Sequence, residues 1–392
     1  MPLHRRHSTV SSRNHFRSLA ACTGPRGNAP GMLAKPLGMR GAHREWTPML
    51  LLLAVVLAWA VAPAAAQTPT LTFQVNSTAD AADRVPGDGK CATGNFINGS
   101  TTPQCTLRAA IDEANALSKM TPSSSYAISL PSGTYSLTVN DSCIIGTSTV
   151  TGIPLCLSGN ISINGPTSGS PAVIDAGGTD NAMRIPSGGV VKLANVTLQN
   201  GFDAENYVPI GGGGGAIHSE GTLTLSHCLF TENQSHNDLG SAVYNGGISL
   251  TVEGSTFQGN SGAVLAVNNL ASTVIGQSYF TDNSARNGVA FTSLGNPGPL
   301  TISNSTFTQN SATADNVIFL SGNNNPILTI TNSTISFNTV GVAYIINTTG
   351  TAILNNDTVY GNTTNKTGIV INISTYVKSR RVKLISAAFL CN

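Results

Sequence analysis

Charge is scarce in this chain. Asp, Glu, Lys and Arg together make up 10% of 392 residues, and aromatic residues only 6%. No lysine lies between Lys192 and Lys366, and Arg286 is the only basic residue in that interval. The gap weakens one reading of the glycine run at 211–215 as a phosphate cradle. A cradle needs a strand before it, a helix after it and a Lys-Ser/Thr pair to complete it. Here Ala216-Ile217-His218 leads into "GTLTLS", which alternates as a strand does. The formal net charge of +2 conceals an acidic body. Residues 1–66 hold eight of the 20 basic residues and one of the 18 acidic ones, and Lys378, Arg380, Arg381 and Lys383 close the chain. Between them, 67–377 carries eight basic and seventeen acidic residues, a net of −9. Such a body argues against nucleic-acid binding, which depends on neutralising phosphates.

Long apolar runs are missing too. Met49–Ala66 contains about thirteen apolar residues before Pro63 and then small ones. That is short for a membrane span and fits a secretory signal cut after Ala66, with a membrane anchor as the alternative. Met39 opens a compact basic lead-in, so translation is expected to start there. Cysteine is sparse, at seven residues. Cys22 falls in the presequence and Cys391 in the last stretch. Export permits disulfides, and Cys91/Cys105 and Cys143/Cys156 bracket two Gly/Ser/Thr-rich loops. These local pairings are expected, although four cysteines allow three connectivities. Cys228 is left over.

What is abundant is glycine, at 41 residues, with Ser, Thr, Asn, Val, Ile and Leu. A disordered chain would be more charged and poorer in branched apolar residues. The segments "VKLANVTL" (191–198), "LTLSHCLF" (223–230), "LTVEGSTF" (250–257), "TVIGQSYF" (273–280), "LTISNSTF" (300–307), "LTITNSTI" (328–335) and "AILNNDTV" (352–359) repeat one pattern. The last positions are Leu198, Phe230, Phe257, Phe280, Phe307, Ile335 and Val359. Asn233, Asn260, Asn283, Asn310, Asn338 and Asn362 each follow three residues later. A period of 23 to 32 residues, strands only, and Gly/Asn punctuation predict an all-β, right-handed parallel β-helix. About nine coils at ~4.8 Å each would form the rod. The Asn column is expected at sharp left-handed corners, with its amides stacked into a ladder. The numerous Asn-x-Ser/Thr triplets are therefore read as corner chemistry. "GGAI" (214–217), "GSAV" (240–243), "SGAV" (261–264) and "NGVA" (287–290) are the matching turns, which makes the glycine run a repeat corner.

The paired GGA[IV] and Phe-x-x-Asn elements resemble the repeats of chlamydial polymorphic outer-membrane proteins, and more broadly the β-helix repeats of exported bacterial proteins. Residues 73–117 are similar to the N-terminal module named for a Cys-Ser-Leu-Arg-Glu-Ala-Ile motif. That motif stands here as Cys105-Thr106-Leu107-Arg108-Ala109-Ala110-Ile111, with Thr and Ala replacing Ser and Glu. Together the resemblances cover about 70–376 and imply a secreted or surface-exposed, adhesin-like rod. "TLRAAIDEANAL" reads as a short capping helix, with Leu107, Ala110, Ile111, Ala114 and Leu117 on one face over the first coil. Asp112 and Glu113 would then be exposed, and Arg108 would pair with Asp112.

The expected organisation is a presequence at 1–66, a cap module with the first coils at 67–158, β-helix repeats at 159–377, and an aberrant tail at 378–392 expected from a frameshift or truncation. The expected function is non-enzymatic adhesion or glycan binding. The alternatives are a polysaccharide lyase or glycoside hydrolase on the flank, or a truncated structural protein without activity. A lyase needs calcium-holding carboxylates and a base, and a hydrolase two facing carboxylates. The candidates for that set are Asp203, Glu205, Asp238, Asp282 and Arg286. No metal site or cofactor is expected, except calcium if the lyase alternative holds. The nine-residue spacing of His218, His227 and His236 does not match the coil. Cys228 aligns with Ser255, Ser278, Ser305 and Ser333, as a small packing substitution would. The expected partners are an extracellular polysaccharide or a host or cell surface, with no nucleic acid and no transmembrane segment in the mature chain.

Overall fold

In the computed structural model, residues 71–145, 148–152, 154–203, 213–236, 238–268, 272–314, 316–341, 344–364, 369–380, 383–385 and 388–391 are described. The expected signal peptide, the start at Met39 and the cut after Ala66 lie outside these residues, as does Glu205.

The chain winds into a parallel β-helix. One rung contains four strands: Phe291–Leu294, Leu300–Ser303, Thr306–Thr308 and Ser311–Ala312. The next repeats them as Ile318–Leu320, Ile327–Thr331, Thr334–Ser336 and Thr339–Val340. Each strand pairs in parallel with its counterpart one rung on. We refer to the four stacked sets as the first to fourth rows. Among the described residues the third row forms a continuous ten-stranded sheet, from Gly133–Ser136 to Lys383–Ile385. Further strands occupy Ile369–Arg380, Lys383–Ile385 and Ala388–Cys391.

The register follows the repeat read from the sequence. Leu198, Phe230, Phe257, Phe280, Phe307, Ile335 and Val359 pair one to the next. All are buried. The four phenylalanines stack with ring centroids 5.0, 4.6 and 4.7 Å apart, within the range of favourable aromatic pairs. In the second row period-two alternation sends Leu300 and Ile302 inward and leaves Thr301 at the surface.

Two corners turn the chain between rows, and they divide the asparagines into two kinds. Between the second and third rows Asn195, His227, Gln277, Asn304, Asn332 and Asn356 take the left-handed backbone, with φ from 48° to 60°. Between the third and fourth rows the left-handed residue is the one before each ladder asparagine: Glu232, Asp282, Gln309 and Phe337, or a glycine at Gly259 and Gly361. The expectation that the Phe-x-x-Asn asparagines themselves supply the left-handed turn is therefore corrected. Their amides are needed instead for a buried ladder. Asn260 Nδ2 donates to Asn283 Oδ1 at 3.0 Å, Asn283 to Asn310 at 2.9 Å, and Asn310 to Asn338 at 2.9 Å. Each Oδ1 also accepts the backbone N–H of the asparagine before it. A second ladder runs beside it. Cys228, Ser255, Ser278 and Ser305 each donate their backbone N–H to the serine hydroxyl one rung on, and Ser333 donates to Asp357.

Of the five consecutive glycines, Gly213–Gly215 are described. Gly214 has φ +81°, and a Cβ there would sit 2.2 Å from the Ile217 carbonyl oxygen. Gly240 repeats this one rung later, with φ +78° and the same distance to Val243. Only glycine fits a turn that tight.

The helix Leu107–Met120 packs on the strands Tyr126–Ser129, Leu155–Cys156 and Asn160–Asn164. Thr106 caps it, its hydroxyl accepting the Ala109 N–H at 3.1 Å. Leu107, Ala110, Ile111 and Ala114 are buried as expected, but so is Glu113. Its carboxylate receives the Gly87 and Gly89 N–H groups, because the loop after Asp83 folds back over the helix. Asp112 is half-buried and accepts the Asp83 N–H at 3.0 Å. The expected exposure of these acids is corrected accordingly. Arg108 forms its two-pronged pair with Asp80, at 2.7 and 3.1 Å, and reaches Asp141 at 3.3 Å, while on the expected partner Asp112 it acts through its charge. Disulfides join Cys91 to Cys105 and Cys143 to Cys156, the local pairings expected.

Candidate functional site

The asparagine ladder also positions the candidate site. Immediately after each ladder asparagine stands a fourth-row residue: Gln234, Ser261, Ser284, Ser311, Thr339 or Thr363. These pair in register from rung to rung. They alternate with inward residues such as Ala285, Ala312 and Val340, so their side chains face outward, and all six are exposed. The amides beneath hold the backbone, and a column of hydroxyls is displayed at rung spacing. The column is visible in the sequence as a Ser or Thr directly after each repeat asparagine from Asn260 to Asn362, a signal that the reading of the Asn-x-Ser/Thr triplets as corner chemistry did not use.

Beside this column lies a groove of about 550 Å³. It crosses five rungs, from Phe202 through Gln234–His236 and Asp238, Ser261, and Ser284–Asn287 to Thr313. Four rung spacings of ~4.8 Å make it roughly 19 Å long. Its lining is mainly hydroxyl and amide, with one imidazole, His236, one guanidinium, Arg286, and one carboxylate among the described residues, Asp238.

The structure brings part of the sequence-derived set together. Asp238 and Arg286 line the same groove, and Asp238 Oδ1 accepts the Arg286 backbone N–H at 3.2 Å across two rungs. Asp203 lies beneath the floor, nine-tenths or more buried, with its carboxylate 3.4 Å from the Ser235 hydroxyl. Ser235 in turn accepts the Leu239 N–H at 3.0 Å. Asp282 stands at an exposed left-handed corner, accepts a hydrogen bond from the Thr281 hydroxyl, and is not among the lining residues. Glu205 falls outside the described residues.

The three histidines separate. His218 is buried on the first row, stacked on Tyr244 at 4.9 Å, with Glu220 at 3.3 Å from Nε2. Burial raises the Tyr244 phenol, which the nearby Glu220 charge reinforces against an opposing hydrogen bond from Asn268. His227 occupies a left-handed corner, and His236 lines the groove. Among the described residues no group of three or more His, Cys, Asp or Glu is placed to hold a metal ion. Cys228 sits in the serine column with its thiol pushed up to about 11 by burial. It is therefore a protonated packing residue at neutral pH, not an activated nucleophile. No helix among the described residues is long and apolar enough to cross a membrane.

Fold and groove define a parallel β-helix with a polar channel along one flank. No family model matches the chain, and no curated protein matches it. Among solved structures it is similar to the crystal structure of pectate lyase Pel9A, with 15% identity over 82% of this chain and 79% of that one and a TM-score of 0.43.

Proposed function

We propose that this chain is an exported or cell-surface β-helical rod that binds a glycan lengthwise along its fourth row. The observation that carries the reading is the in-register hydroxyl column, Ser261 to Thr363, beside a polar groove roughly 19 Å long. A saccharide presents hydroxyls at every ring, and a column of exposed Ser and Thr can donate to or accept from each of them. The rod form suits an extended polymer better than a compact ligand. Two disulfides fit an oxidising compartment, and the likeness of residues 73–117 to the N-terminal module of exported rods supports the same placement.

A second reading, a polysaccharide lyase or hydrolase, is favoured by one observation: Asp238 and Arg286 share the groove. One experiment separates the two. The protein, exported so that its disulfides form, is incubated with acidic and neutral polysaccharides with and without calcium. Retained protein and polymer length are read from the same sample. Intact polymer with saturable retention, weakened by Ser284→Val and Ser311→Val together, is the expected result. Shortened polymer, with cleavage lost on Arg286→Ala, would replace the binding reading by the enzymatic one.

A further inference from the structure

We infer that the groove selects a largely neutral glycan bearing isolated carboxylates, one of which seats against Arg286. The inference rests on the glycan-binding reading and specifies its ligand. Three observations carry it.

The first is where the cation stands. Arg286 is the sole Lys or Arg between Lys192 and Lys366, and it is exposed in the groove between Ser284 and Asn287, with His236 also in the lining. A guanidinium presents a rigid fork that matches a carboxylate with two parallel hydrogen bonds. The hydroxyl column beside it is itself uncharged.

The second is how the arginine is held. Asp238 Oδ1 binds the Arg286 backbone N–H at 3.2 Å from two rungs away. The contact fixes the segment that bears the guanidinium, and the same carboxylate places a negative charge in the groove. A ligand with an anion on every ring would meet Asp238 as well as Arg286. A ligand with widely spaced anions need meet only the arginine.

The third is the long-range field. Residues 67–377 carry a net −9. Such a body repels a dense polyanion, at distances set by a screening length of about 10 Å in 0.1 M salt. A sparsely charged polymer is repelled far less, and its local contact with Arg286 then decides the preference.

The test uses the whole disulfide-bonded protein and three polymers: hydroxyethylcellulose, carboxymethylcellulose of low substitution on the same backbone, and polygalacturonate. Affinity electrophoresis reads retention on each. The sparsely carboxylated polymer is expected to be held about tenfold more tightly than the neutral one, the scale of a single charge-assisted contact, with polygalacturonate held less tightly. Arg286→Gln is expected to abolish the difference between the two cellulose derivatives, and Arg286→Lys to reduce it. In the unaltered protein the preference should fade by 0.5 M salt, as screening requires. Equal retention of the neutral and sparsely charged polymers would overturn the inference and leave the glycan reading standing. Tightest retention of polygalacturonate would overturn the sparse-charge argument. No retention on any polymer would remove the glycan reading and this inference with it.

Discussion

Replacing Asn283 by alanine should cost far more than replacing Asn304, although both stand in repeat positions one rung apart. The Asn283 side chain makes four hydrogen bonds at 2.9 to 3.0 Å. Oδ1 accepts from the backbone N–H and the Nδ2 of Asn260, and Nδ2 donates to the Phe257 carbonyl and to Asn310 Oδ1. After truncation three of the four partners keep other bonds. Asn260 Nδ2 still reaches the Phe230 carbonyl, Asn310 Oδ1 still accepts the Asn283 N–H, and the Phe257 carbonyl still faces the Thr281 N–H in the parallel ladder. The Asn260 N–H is the buried group left unsatisfied. With four bonds lost at about 0.5–1.5 kcal/mol net each, the loss is roughly 4 kcal/mol. Asn304 is exposed with φ +49°, and alanine there costs mainly the left-handed backbone preference, about 1 kcal/mol. Urea unfolding of Asn283→Ala and Asn304→Ala should therefore differ by roughly 3 kcal/mol. Asn283→Asp sharpens the test. Its carboxylate would face two acceptors, so its deficit should shrink as the pH falls and the acid protonates. Equal losses for the two alanine variants would refute a ladder made of buried amides.

Asp357 occupies the serine column, and burial pushes its pKa up to about 6 against the hydrogen bonds from Ser333 and Asn355. A carboxyl raised in the folded state stabilises fully below its unfolded value near 3.8 and loses that contribution as pH rises through about 6. Thermal stability should thus fall between pH 4 and pH 6, by of order 1–2 kcal/mol after allowance for solvent screening. Asp357→Ser should flatten that slope, and an unchanged profile in the variant would show that another group titrates. Asn245 points inward on the first row between Ser219 and Val267 with both side-chain polar atoms buried and unpartnered. Asn245→Val is expected to raise stability by about 1–2 kcal/mol, and a lower unfolding midpoint would mean that the amide has a partner such as water.

Repetition made the rungs legible. A phenylalanine that recurs with an asparagine three residues later fixes register, so the stacked core and the amide ladder could both be anticipated from spacing. The local disulfides were readable for a similar reason, since each closes a short loop. The cap was less so. Arg108 meets Asp80 and Asp141, 28 and 33 residues away, and Glu113 is buried by glycines 24 and 26 residues earlier. Those contacts depend on how an irregular loop returns, which no periodicity encodes. The groove falls between these cases. Asp238 and Arg286 are 48 residues apart and meet because that separation spans two rungs of this particular length. Asp282, only four residues before Arg286, is carried by the corner to a different face.

The asparagine ladder has a direction. From Asn233 to Asn362 each side-chain N–H meets the side-chain oxygen of the following rung, and the order never reverses. Along each strand successive backbone carbonyls point alternately up and down the axis, so the parallel rows add little net dipole in that direction. The amides of the ladder all lie the same way, so their dipoles add along the axis in a region shielded from water. The rod therefore has an electrical polarity as well as a chain polarity, and two such rods lying side by side are electrostatically favoured when they point in opposite directions.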